Sequence, residues 1–339
     1  MIKSPEDVMR DIKKKDYAPV YFLHGEEAFY IDRITTLIEE NVLTTTERGF
    51  NQTMLYGRDI SMGTVITQAR RFPMMADKQV VIIKEFQLLP DLAKDESSKL
   101  LEAYIAQPQP STILVLAHKH KNLNKNSKLY KTIEKNAVVV ETKKLYDNQL
   151  PAWIQNYLKD QKYSIEPKAV QLLAEAVGSD LSRLSNELDK LCINVARETP
   201  INEALIEQYV GISKDYNVFE LQNAIAQRNR EKAYKIIAYW ESNPKKQPLM
   251  PTIAMLFGYF VKLLLATQET DKSDQNLAKV LKINPFLVKD YKAALQNFNS
   301  NNLLEAISLL RITDLQAKGI EAGGNSEAEI LREFVFKIL

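Results

Sequence analysis

Four short runs of β-branched and aliphatic residues, at 20–23, 79–84, 112–117 and 137–141, constrain the first 143 residues more than any other feature of the chain. Each run is apolar on both faces and must be covered from above and below, which places it inside a parallel sheet flanked by helices. Helical patterns fall between the runs, at about 28–42, 60–71, 94–106 and 125–135. This alternation is that of a doubly wound α/β domain.

From about residue 147 onward strand patterns disappear. Helices are expected at 148–160, 167–177, 180–195 and 202–210, and about six or seven more beyond 215, with turn signals at 242–244, 284–285, 299–302 and 323–326. Within 178–191, Leu181, Leu184, Leu188 and Leu191 recur at the 3-4-3 spacing of one helical face, with Ser179 or Asp180 placed to cap it. The chain therefore reads as an α/β front and an all-α back.

The first strand runs into His24, Gly25, Glu26 and Glu27 and then a helix, which is the layout of a nucleotide-binding P-loop. Its phosphate chemistry is missing. A working loop, G-x-x-x-x-G-K-[ST], wraps phosphates in backbone N–H groups, neutralises them with Lys and holds Mg²⁺ with a hydroxyl. A single glycine followed by two glutamates repels phosphate instead. Glu85 stands where an ATPase places a Mg²⁺-binding Asp-Glu pair, but Lys84 precedes it, so the second carboxylate is lacking as well. No nucleotide, metal or other cofactor is expected, and His24 reads as structural.

With 339 residues the chain is too long for one core and suggests two or three domains. Its 45 basic and 43 acidic side chains leave a net charge of +2, so no global field points to nucleic acid or membrane. One cysteine, Cys192, excludes a disulfide framework and a Cys-rich zinc module; its place on a leucine-rich helix reads as a small buried residue. The longest apolar run, 255–266, is interrupted by Gly258 and Lys262 and falls short of the roughly 20 residues that span a bilayer. No signal peptide is read at the start, and the expectation is a cytoplasmic protein.

Four phrases carry a family resemblance: YFLHGEEAFYID at 21–32, VGSDLSRLSNELDKL at 177–191, NVFEL at 217–221 and DLQAKG at 314–319. Taken in order, they resemble the delta subunit of the bacterial DNA polymerase III clamp loader, over nearly the whole chain. The resemblance implies an AAA+-like α/β domain without a functional P-loop at 1–143, a small helical lid at 144–212 and a helical collar at 213–339. It implies no intrinsic activity but membership of the DNA-directed DNA polymerase III holoenzyme. The implied role is to bind and open the sliding clamp (beta subunit) for loading onto primed DNA, beside the ATPase gamma/tau subunits and the delta-prime subunit.

The resemblance places the clamp-binding element at 61–79, where an apolar pair inserts into a pocket of the clamp. Met74 and Met75 fall on that pair, with Phe72 and Pro73 adjacent. Pro73 disfavours helical geometry in the residue before it, so the helix should end at Phe72 and leave these side chains protruding before the next strand. Methionine suits a surface that adapts to its pocket. The plain alternative is that Met74 and Met75 pack the helix against the sheet.

The stretch 117–131 holds Lys119, Lys121, Lys125, Lys128 and Lys131 with two histidines and no acidic residue. It could meet nucleic-acid phosphate, or be a solvated loop and helix face. His118 and His120 would share a face if both lay on a strand, but a third metal ligand is lacking. In the back half, Trp240, Phe257, Tyr259, Phe260, Leu263, Leu264 and Leu265 form the most apolar stretch, which reads as a core helix or as one also packed on neighbouring subunits. Two other functions stay open: a stand-alone nucleic-acid-binding scaffold using 117–131, and a cryptic ATPase.

Overall fold

The architecture is that of a computed structural model, which describes residues 1–213, 216–243, 248–283, 285–320 and 324–339. The turn signals at 242–244, 284–285 and 323–326 lie partly outside the described residues. The chain divides into two compact units, Met1–Leu145 and Tyr146–Leu339.

The first unit contains α1 (Pro5–Lys13), β1 (Val20–Gly25), α2 (Ala28–Asn41), α3 (Thr45–Asn51), β2 (Gln52–Tyr56), α4 (Met62–Ala69), β3 (Gln79–Lys84), α5 (Asp95–Ala106), β4 (Thr112–Lys119), α6 (Lys128–Asn136) and β5 (Val138–Thr142). The strands form one sheet in the order β2-β3-β4-β1-β5, and every pairing is parallel. The four expected strands are present. The fifth, β2, is an edge strand, half-buried over residues 52–55 and exposed at Tyr56, without the two-sided apolar pattern that marks the others.

Successive side chains of each strand go to opposite faces. Val20, Phe22, Val81, Ile83, Leu114 and Leu116 pack with Val65 of α4, Leu101 of α5 and Ile133 of α6. Tyr21, Leu23, Val80, Ile82, Ile113 and Val115 pack with Ile12 of α1 and Ile31, Ile34 and Ile38 of α2. Burial of both faces is what excludes polar residues from these runs.

Among its described residues the second unit is built of helices, with one isolated β-bridge between Ile165 and Ile201: α7 (Leu150–Asp160), α8 (Pro167–Val177), α9 (Leu181–Asn194), α10 (Glu203–Tyr209), α11 (Val218–Ala226), α12 (Arg230–Ser242), α13 (Leu249–Gln268), α14 (Asp274–Leu281), α15 (Val288–Asn297), α16 (Ser300–Ala317) and α17 (Glu327–Ile338). On α9 the four spaced leucines are all buried, and the Asp180 carboxylate caps the helix by accepting the Arg183 N–H at 3.0 Å. Cys192 is half-buried rather than fully buried, and burial pushes its thiol up to about 11, away from reactivity at neutral pH.

The apolar run at 255–266 belongs to a longer helix, α13, of 20 residues. By length and composition alone it could cross a membrane. Its apolar content has another use: Leu256, Tyr259, Phe260 and Leu263 lie in the core shared by α11–α17, while Phe257 and Leu265 remain exposed. Trp240 of α12 joins that core and donates its indole N–H to the Tyr216 carbonyl at 2.8 Å.

Candidate functional site

The turn from β1 into α2 places the four P-loop-like residues at the carboxyl end of the sheet. Gly25 has φ +135°, and a Cβ there would sit 2.0 Å from the Thr142 carbonyl oxygen, so the turn accepts glycine alone. The Glu26 N–H then donates to that same oxygen at 2.9 Å. Glu27 is the N-cap of α2, and its carboxylate accepts the Phe29 N–H at 3.0 Å. In a phosphate site the first N–H groups of this helix would point at the ligand. Here a carboxylate of the chain itself takes the anion's position.

His24 is fully buried, stacked on Phe22, and contacts Asn122 Oδ1 through Nδ1 at 3.0 Å, a hydrogen bond made when Nδ1 carries the proton. Burial lowers its pKa, which keeps it neutral. Glu85 adopts a left-handed conformation just after β3, and its carboxylate meets the Arg58 guanidinium at 3.3 Å.

The segment between α4 and β3 is built differently from its surroundings. The helix ends at Ala69, two residues short of the expected 60–71 span. Its last carbonyls are taken by side chains from elsewhere: Tyr104 Oη donates to Ala69 O at 3.2 Å, and the buried Gln79 amide donates to Gln68 O at 3.4 Å and also to Arg71 O. At the other end, the Asp91 carboxylate accepts the Met62 N–H at 3.0 Å. Both helix ends are thus fixed by remote side chains that satisfy groups otherwise left open.

Beyond this anchored helix, Phe72 is 76% exposed, Met74 54% and Met75 101%. They do not pack the helix against the sheet; that contact is made by Met62, Val65, Ile66 and Ala69. Met75 has φ +53°, a left-handed conformation that is costly for a long side chain. Asn51, at the end of α3, brackets Met74: its Nδ2 donates to the Met74 carbonyl at 2.9 Å and its Oδ1 accepts the Met74 N–H at 2.6 Å. Phe50, one residue earlier, is also exposed. Sequence reasoning picks out neither Asn51 nor Gln79, because a polar residue that grips backbone leaves no periodic signal.

Three of the five lysines of the basic stretch find carboxylate partners on folding. Lys119 pairs with Asp32 at 2.5 Å, Lys125 with Glu141 at 2.8 Å and Lys128 with Glu102 at 3.1 Å. Lys121 and Lys131 have no ion pair among the described residues. His118 and His120 do not share a strand face, since β4 ends at Lys119 and His120 turns away with φ +61°. Among the described residues no group of three or more His, Cys, Asp or Glu side chains could hold a metal ion.

Comparison with known proteins adds a lineage to this geometry. Residues 21–143 match the family model described as DNA polymerase III, delta subunit, and residues 215–334 match the model of that family's C-terminal domain. The chain is similar to DNA polymerase III subunit delta of Bacillus subtilis, at 26% identity over 98% of this chain and 96% of that protein. It is also similar to a probable DNA polymerase III subunit delta of Aquifex aeolicus, at 24% identity over 88% and 86%. Among solved structures, the Bacillus subtilis DNA clamp loader delta protein matches with a TM-score of 0.61 and 26% identity, covering 98% of this chain and 99% of that one. The fold is accordingly an AAA+-like α/β domain joined to a helical C-terminal part.

Proposed function

The chain belongs to the delta-subunit family of bacterial DNA polymerase III, and from that premise we propose that it is the member of a clamp loader that grips and opens the sliding clamp. The observation that carries this reading is the tip at Phe72, Met74 and Met75: three large apolar side chains stand in solvent on a segment held by Gln79 at the Arg71 carbonyl and by Asn51 at the Met74 backbone. Burying one such side chain in a partner's pocket is worth about 2 kcal/mol, and a few of them can dominate an interface.

Opening follows from differential binding. If the tip fits a clamp protomer whose interface is sprung better than one in a closed ring, binding shifts the ring toward open by that difference in affinity. The chain itself supplies no phosphoryl-transfer chemistry in this scheme. ATP hydrolysis falls to gamma/tau subunits, with delta-prime completing the loader and primed DNA as the destination of the ring, in the cytoplasm. The helical unit then serves as a lid at 144–212 and a collar at 213–339, the collar having its own core over α11–α17.

A titration of the full chain against the sliding clamp of the same organism, without nucleotide, tests the reading. Saturable binding is expected, and a Met74→Ser/Met75→Ser variant with an unchanged melting temperature should lose it. A clamp bound equally well by wild type and variant, or by neither, overturns the assignment of the tip.

A further inference from the structure

The exposed tip would be a poor anchor if its backbone were free to wander, and one buried side chain prevents that. Asn51 is 3% exposed, and its amide exchanges two hydrogen bonds with the backbone of Met74. A carboxamide offers a C=O acceptor and N–H donors, the same pairing as a peptide unit. Asn51 therefore does for Met74 what a neighbouring β-strand would do, at a point where no strand is present. Its Nδ2 also donates to the Glu47 carbonyl at 3.2 Å, which ties the bracket to the body of α3.

The position of this amide follows from the sheet. β2 begins at Gln52, which is the register partner of Val80 on β3, so the residue before β2 lies beside the segment that leads into β3. Gln79 grips the start of that segment through the Arg71 carbonyl, and Asn51 grips its middle. Between these two holds Phe72 and Pro73 span the gap, and Met75 follows in its left-handed conformation.

We infer that Asn51 is a positioning residue for clamp binding: it touches no partner, but holds the Met74 backbone so that Met74 and Met75 meet the clamp already ordered. The inference rests on the tip being the clamp-binding element. Ordering a loop before binding removes an entropic cost that would otherwise be charged against affinity. Loss of the bracket should weaken binding roughly tenfold without altering the contacting side chains.

The test is a double-mutant cycle on the full chain, with clamp affinity, melting temperature and amide hydrogen exchange measured for each variant. Asn51→Ala should bind roughly tenfold more weakly, expose the Met74 amide to fast exchange, and leave exchange in β3 unchanged. Combined with Met75→Ala it should cost less than the sum of the two single effects, because both act through one contact. Should Asn51→Ala fail to fold, Asn51→Asp keeps the acceptor for the Met74 N–H but removes the donor, and an intermediate loss is expected. Wild-type affinity in a variant whose Met74 amide exchanges fast, or strictly additive effects, overturns the inference and leaves the docking reading intact. Undiminished binding by Met74→Ser/Met75→Ser overturns the docking reading, and this inference with it.

Discussion

His24 on β1 and His118 on β4 are register partners in adjacent parallel strands, so their imidazoles share one face of the sheet. Both are buried, and His24 Nε2, His118 Nδ1 and Tyr130 Oη lack hydrogen-bond partners among the described residues. Burial is the main cause that lowers both pKa values, that of His118 to about 4, and a charge on His24 further disfavours a proton on His118.

Because the folded chain holds His118 neutral while the unfolded chain protonates it near 6.5, the unfolded state binds more protons between these values. Stability is therefore fully present above about pH 6.5 and is lost as pH falls toward 4. The expected loss is on the order of 2 kcal/mol between pH 7 and pH 5, with His24 adding in the same direction. Denaturant midpoints across that range should fall for wild type and flatten for His118→Leu.

The Glu27 carboxylate that caps α2 gives a second expectation. Glu27→Ala should lower stability by about 1 kcal/mol, the usual value of an N-cap, as read by thermal or denaturant melting. It should not create nucleotide affinity in a titration, since the lysine and the glycine-rich wrap are still missing.

Gly25→Ala asks for a Cβ where the Thr142 carbonyl already lies, in a backbone conformation that L-residues avoid. The cost should be about 3 kcal/mol or more, enough to appear as poor soluble yield or a large drop in melting temperature.

Met75 offers a trade between stability and binding. Asparagine tolerates left-handed geometry better than methionine, so Met75→Asn should raise stability by roughly 0.5 to 1 kcal/mol. The same change should weaken clamp binding about tenfold or more, which a titration reads directly.

The sheet is legible in the sequence where burial demands apolar residues on both faces: β1, β3, β4 and β5 are apolar because helices cover them twice. β2 carries no such signal, because its residues 52–55 are only half-buried and Tyr56 is exposed, so Gln52 and Thr53 are tolerated. Pro73 signals the end of α4, but the helix stops earlier because the Gln79 and Tyr104 side chains claim its last carbonyls. Methionines at 74 and 75 read as packing from residue type alone and as display from the family resemblance; in the structure the display goes with Asn51, distant in sequence, and with one backbone angle. The lysines of 117–131 look unpaired in the sequence because Asp32, Glu102 and Glu141 reach them only after the strands and helices assemble.

The strand order has a consequence for synthesis. β1 sits between β4 and β5, so the strand made first has both of its neighbours among the strands made last. At about 5–20 residues per second, the chain from Gly25 to Lys119, the end of β4, takes roughly 5 to 19 s to emerge, during which β1 has neither neighbour to pair with, and β5 follows later still. The pair that can form sooner is β2 with β3, at the far edge. During that interval the apolar Val20–Gly25 strand is open to chaperones or to other nascent chains. Substitutions that delay the docking of β4 or β5 should reduce the yield of soluble protein more than they reduce the stability of the molecules that complete folding.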